Sequence, residues 1–246
     1  MSNDSGHFRT AEQLSAQGFH RDGPDWLHAD GRRYVPLFEA KMIHHFDHRF
    51  GSYAGLDARP GDGSLPETPD SLKADPNYEA EPWYWVPEEE TALRVARVPT
   101  RLKQYFRKED PTGCLKVLAE WLLGTLDSED LAKPALAAMR AQALLKDILG
   151  PRALERDVIG TKIATWAHKV AGSARKMQRE TPLGEDDLAF IRQGPSDTLE
   201  LTGALIDRKQ PRWLTGWRDI TNATNERTLI ATVFPKVGVN HKMPLL

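Results

Sequence analysis

Hydrophobic and polar positions follow different periods in different parts of this chain, and three zones result. Residues 1–87 read as loops and short strands. Residues 32–39 and 41–50 are rich in β-branched and aromatic side chains and are broken by Gly31 and Gly51, which suits strands bounded by turns. Residues 57–78 carry Pro60, Pro66, Pro69 and Pro76 among several Gly and Asp, so an exposed loop is expected there. The string EPWYWVP at 81–87 restores an aromatic, strand-like patch.

Residues 88–194 carry helical periods. Pro87 followed by Glu88, Glu89 and Glu90 suits a helix start, because first-turn acids complement the helix dipole. Pro99 interrupts that helix. Leu115, Leu118, Ala119, Leu122 and Leu123 keep a 3.6-residue period up to Gly124. Asp127 or Ser128 can cap the next helix, with apolar positions Leu136, Met139, Ala143, Leu144 and Ile148 before Gly150 and Pro151. A further helix carries Val158, Ile159, Ile163, Trp166 and Val170. Residues 195–246 return to strand character at 199–206, 213–220 and 228–234. The last of these is apolar on both faces, as a covered central strand is. The expected class is α+β, with two β-rich sections flanking a helical insertion and no complete Rossmann-like domain.

Composition narrows the class without naming a function. The chain has 246 residues, 40% hydrophobic and 28% charged, ordinary for a soluble globular protein that buries a core. No apolar run approaches the roughly 18 residues that span a bilayer, and MSNDSGHFRT lacks the features of a secretory signal. Cys114 is the single cysteine, so no internal disulfide forms. It sits in an apolar helical stretch as a buried structural thiol, and a reducing cytoplasm is expected. Net charge is −2, which gives no global argument for nucleic acid. Its distribution says more: Arg94, Arg97, Arg101, Lys103, Arg107 and Lys108 face only Glu109 across 91–109. Lys162, Lys169, Arg175, Lys176 and Arg179 meet no acid across 158–179. Such stretches are either phosphate-tracking surfaces or solvated helix faces.

Four local patterns bear on chemistry. Asp75-Pro76-Asn77-Tyr78 is the nearest string to the Asp/Asn-Pro-Pro-aromatic tetrapeptide of adenine methylation. It lacks the second proline, an apolar strand before it and a glycine-rich turn upstream, so no catalytic role is expected. Asp25, Glu39 and Lys41 fit a loose nuclease pattern in which two carboxylates hold Mg²⁺ and a lysine polarises water. His44, Asp47 and His48 suggest a metal site, but on a strand His44 and His48 flank Phe46 while His45 and Asp47 point away. That supplies too few convergent ligands, and a phosphate contact or a cluster orienting Arg49 is the better reading. Finally, Arg208, Lys209, Arg212, Trp213, Trp217 and Arg218 interleave cations with aromatics, and Asn222, Asn225, Glu226 and Arg227 follow in a polar loop. Those types suit phosphate and base-edge contact. The alternative places Trp213 and Trp217 in the core and Arg218 on loop carbonyls such as those near Asn225.

Taken as wholes, PLFEAKMIHHFDHRFGSY, PWYWVP and GWRDITNATNERTLIATVFPKVGVNHKMPLL resemble the post-catalytic, target-recognition region of bacterial adenine-specific N6 DNA methyltransferases. The type IIG-like restriction–methylation and phage-defence enzymes are included, and SGHFRTAEQL resembles the segment leading into that region. The resemblance implies a DNA-recognising part, with Lys41, His44, His48, Arg49, Arg212, Arg218, Asn222, Asn225 and Arg227 as candidate contacts. It also implies double-stranded DNA as partner, with or without a separate methyltransferase subunit. No cofactor is expected on this chain, S-adenosylmethionine belonging to the full-length family. The catalytic domain of that family would lie before Met1, and its members continue past Leu246, so a fragment, split gene product or truncated reading frame is expected. A Mg²⁺ nuclease using Asp25, Glu39 and Lys41, and a scaffold or remnant without its own function, stand as alternatives.

Overall fold

The computed structural model describes residues 4–61, 64–150, 163–219 and 229–246, and they are mixed α and β. Two units form: one from 1–95 with 211–246, the other from 96–210. The boundaries therefore fall after Val95 and Gln210, and not at 87 and 194, because the Glu88 helix packs on the strands of the first unit.

In the first unit, helix α1 (Ala11–Ala16) starts from a reciprocal cap in which Thr10 Oγ1 accepts from Gln13 N–H and Gln13 Oε1 accepts from Thr10 N–H. Strands β1 (His20–Asp22), β2 (Asp25–Leu27), β3 (Arg33–Phe38) and β4 (Trp85–Pro87) pair antiparallel in that order. Late in the chain, β7 (Gly238–Val239) adds to β3 in parallel, Leu37 opposite Gly238 and Phe38 opposite Val239. Glycine is required there, since a Cβ at 238 would lie 2.4 Å from Val86 Cγ2. Strands β5 (Trp213–Trp217) and β6 (Ala231–Pro235) form a separate two-stranded ribbon. Trp26 and Trp85 meet edge to face at 6.0 Å beside Leu14 and Phe19. A second cluster joins Phe38, Met42, Ile43 and Tyr53 to Leu214, Phe234, Val237 and Met243, so both ends of the chain contribute to one core.

The 32–39 strand forms, and 213–220 and 228–234 supply β5 and β6. The strand expected over 41–50 does not form: a 3-10 turn, Ala40–Met42, is followed by tight turns. Met42 and Ile43 are adjacent and both fully buried, which a half-exposed strand does not allow, and the chain then reverses between His44 and Asp47. A short helix, α2 (Asp70–Lys73), lies within the expected 57–78 loop. Helix α3 (Glu88–Val95) begins on its acidic triplet as anticipated.

The second unit is helical among its described residues: α4 (Thr100–Arg107), α5 (Pro111–Leu123), α6 (Ser128–Ala132), α7 (Pro134–Leu149), α8 (Ile163–Glu180), α9 (Glu185–Gln193) and α10 (Thr198–Arg208). Residues 199–206 are thus helix, not strand. Asp197 accepts from the Leu199 and Glu200 amides, and Leu201 and Leu205, one turn apart, are buried. Helix α5 is the hub, capped by Asp110 with Pro111 in its first turn. Its Gly124 cap comes so close to α8 that a Cβ would sit 2.3 Å from the Ala174 carbonyl oxygen. Buried Glu120 accepts from Arg101 at 2.9 Å and from the Ser173 hydroxyl. Cys114 is fully buried, and desolvation raises its thiol pKa against a hydrogen bond with Thr202. The buried face of α7 is Ala137, Ala141, Leu145, Ile148 and Leu149; Met139 and Ala143 point to solvent, Met139 at 57% exposure. Likewise Ala167, Ala171 and Ala174 are the buried positions of α8, with Ile163, Trp166 and Val170 packed at their margin. Val158 and Ile159 lie outside the described residues.

Candidate nucleic-acid interface

The ribbon has two unlike faces because its side chains alternate. Leu214, Gly216, Thr232 and Phe234 turn into the core. Trp213, Thr215 and Trp217 turn outward, opposite Pro235, Val233 and Ala231. On this outward face Trp213 is 59% and Val233 51% exposed, and Arg212 is exposed at its entrance. Trp213 is therefore not a core residue, and Trp217 is half-buried.

Beside the ribbon lies the turn at 44–47. His44 and Asp47 exchange backbone hydrogen bonds of 2.7 and 3.0 Å, and the Phe46 amide donates to Ala231 O at 3.0 Å. Asp47 is bound by Lys73 at 2.7 Å and accepts from the Arg49 amide. Burial pushes the Asp47 carboxyl up, but Lys73 and that amide outweigh it and hold its pKa below the usual aspartate range. Phe46 has φ of 60° and is 83% exposed, with its ring in contact with His45.

The sequence-derived candidates divide among several environments. Arg218 reaches Ile43 O with Nε at 3.0 Å and with Nη2, and its guanidinium lies over the Phe50 ring; desolvation lowers its pKa. Arg49 donates to the carbonyls of Lys73, Asp75 and Tyr78. Both arginines therefore act as clamps on backbone carbonyls. The His44 ring packs on Phe50, so His44 and His48 do not flank Phe46 along a strand. His48 is half-buried, and burial, with Arg49 nearby, lowers its pKa against the pull of Asp47. Lys41 lies over the Tyr53 ring and 3.9 Å from Glu39. Asn222, Asn225 and Arg227 lie outside the described residues. The structure thus gathers His44, Phe46 and Arg218 next to the ribbon, while Lys41 belongs to a different cluster.

Of that cluster the sequence singles out only Glu39 and Lys41, in another role; nothing in it marks Tyr53 and Arg59 as their partners. Buried Glu39 accepts from Arg59 at 2.5 Å and from the Tyr53 hydroxyl at 2.9 Å, and Arg59 also donates to Tyr53 Oη. Glu39 and Arg59 stand on the wall of a cavity of about 880 Å³ whose lining is otherwise largely apolar, including Leu37, Val86, Val237 and Met243. Desolvation is the main cause that raises the Tyr53 phenol to about 12. The folded pKa exceeds the ordinary value of 10.0, so this contribution to stability is complete below the unfolded pKa and is lost as pH rises toward 12. Phenolate absorbance of Tyr53 is expected only near pH 12, and Tyr53→Phe is expected to remove that component of an alkaline titration.

The nuclease trio does not share a site. Asp25 is held by Arg33 at 2.8 Å, burial raising its carboxyl pKa against that partner, whereas Glu39 is engaged by Arg59 and Tyr53. Among the described residues no three His, Cys, Asp or Glu side chains converge as metal ligands. Asp75-Pro76-Asn77-Tyr78 is a turn in which Asp75 Oδ1 accepts from the Asn77 amide, with Arg49 bound to two of its carbonyls. No described helix is long and apolar enough to cross a membrane. No protein-family model, curated protein or solved structure matches the chain.

Proposed function

We propose that the unit formed by 1–95 and 211–246 binds duplex DNA, as the target-recognition portion of an adenine-specific N6 methyltransferase of a restriction or phage-defence system. The observation that carries this reading is the outward face of the β5–β6 ribbon, where Trp213, Thr215 and Val233 form a paired surface beside exposed Arg212. A two-stranded antiparallel ribbon is one of the few elements the major groove admits. Arg212 would meet phosphate, and Asn222, Asn225 and Arg227 are residue types suited to base edges. Arg49 and Arg218 serve this reading as supports that hold the 44–47 turn and the ribbon in register.

Methyl transfer itself would lie outside these 246 residues, with a part that binds S-adenosylmethionine, in the cytoplasm. In this reading two β-rich segments flank a helical section, without a complete Rossmann-like domain. The described strands support it, since β3–β7 is their single parallel pair and the other named pairs are antiparallel.

The test is fluorescence anisotropy on duplex DNA across a salt series. Arg212→Ala is expected to weaken binding about five- to tenfold and to reduce the slope of log K against log salt by about 0.9, one phosphate contact. Trp213→Ala is expected to weaken binding while leaving that slope unchanged. A folded sample that leaves duplex DNA unbound at low salt refutes the reading.

A further inference from the structure

Phe46 is displayed in a way that packing does not explain. A bulky residue at φ of 60° is a backbone outlier, and such conformations persist where the surroundings enforce them. Here they do. The His44–Asp47 bonds close the turn, the Phe46 amide is tied to Ala231 O, Arg218 holds Ile43 O, and Lys73 locks Asp47. All these restraints act on backbone or on neighbours, and the Phe46 ring itself stays 83% exposed against His45. Among the described residues His45 Nδ1 is buried without a hydrogen-bond partner, a second cost at the same turn.

Arg218, Arg49 and Lys73 brace the turn, with Asp47 and, near Arg49, Glu79 as opposing carboxylates. Arg218 is held by a carbonyl and a ring, so its charge is not cancelled by either. A protein partner of ordinary affinity would need a patch on the order of 800 Å², whereas a single exposed ring on a braced turn matches one opened base step.

We propose that Phe46 is a wedge that enters between neighbouring base pairs of bound duplex DNA and unstacks that step. This rests on the DNA reading above. It assigns the ribbon to grip and the 44–47 turn to deformation.

Unstacking unwinds the duplex, so the test needs no knowledge of the recognised sequence. The full chain is bound to relaxed closed-circular plasmid, a type I topoisomerase is added, protein is removed, and linking number is read on a gel. Binding is measured separately by anisotropy, so that variants are compared at equal occupancy. Wild type is expected to change the linking number in proportion to protein bound. Phe46→Asn, whose side chain tolerates left-handed backbone, is expected to bind and to lose that change, and Phe46→Trp to retain it. If wild type binds but leaves linking number unchanged, or Phe46→Asn unwinds as much as wild type, the wedge is wrong while the DNA reading stands. A protein-docking role for Phe46 would give that same result. If wild type does not bind duplex at all, both fail together.

Discussion

Trp121→Ala is expected to destabilise the helical unit by about 3–5 kcal/mol, read as a lower urea midpoint of the helical circular dichroism signal. Trp121 is fully buried, and its indole N–H donates to Thr181 O at 2.7 Å, so truncation opens a void and orphans a carbonyl. The size of the loss depends on whether the neighbours can collapse. They cannot do so easily: less than one turn away, at Gly124, α5 already lies near backbone contact with α8. Trp121→Phe keeps much of the volume and is expected to lose a smaller part of the stability. A midpoint for Trp121→Ala within error of wild type would show that this helix is not the hub.

Arg218→Ala is expected to cost about 2–3 kcal/mol in the unit carrying the ribbon, because a charged donor is withdrawn from the carbonyl of fully buried Ile43. Function should suffer more than stability. Arg218 joins the end of β5 to the turn bearing Phe46, while its own amide donates to Ile230 O near the start of β6. Without it, ribbon and turn lose their common anchor, and duplex affinity and unwinding are expected to fall together. Arg218→Lys supplies charge without the two-pronged reach and is expected to recover little. If Arg218→Ala lowers stability but leaves binding and unwinding intact, the anchor is structural only.

The parts of this fold legible in the sequence are those decided locally. Acids at 88–90 and the period ending at Gly124 each mark a helix by short-range chemistry, and the structure places α3 and α5 there. The 199–206 run reads as strand although short apolar stretches fit both periods; the Asp197 cap and the Leu201–Leu205 spacing make it a helix. On α7 Ile148 is buried and Leu144 packs beside the core as expected, but Met139 and Ala143 face solvent, because the small Ala137 and Ala141 are what the close contact with α8 admits. The site was less legible still. That Arg49 and Arg218 would spend their donors on carbonyls remote in sequence depends on tertiary placement, and no residue pattern announces a left-handed Phe46.

Strand order has a consequence for biosynthesis. β3 emerges early from the ribosome, but β7, its parallel neighbour, is translated only after the whole helical unit has been made. Domains form as units during translation. The helices can therefore complete their own core while β1 to β4 wait with Leu37 and Phe38 uncovered. Nascent chains stalled before Gly238 should thus expose an adhesive sheet margin, a natural substrate for holding chaperones.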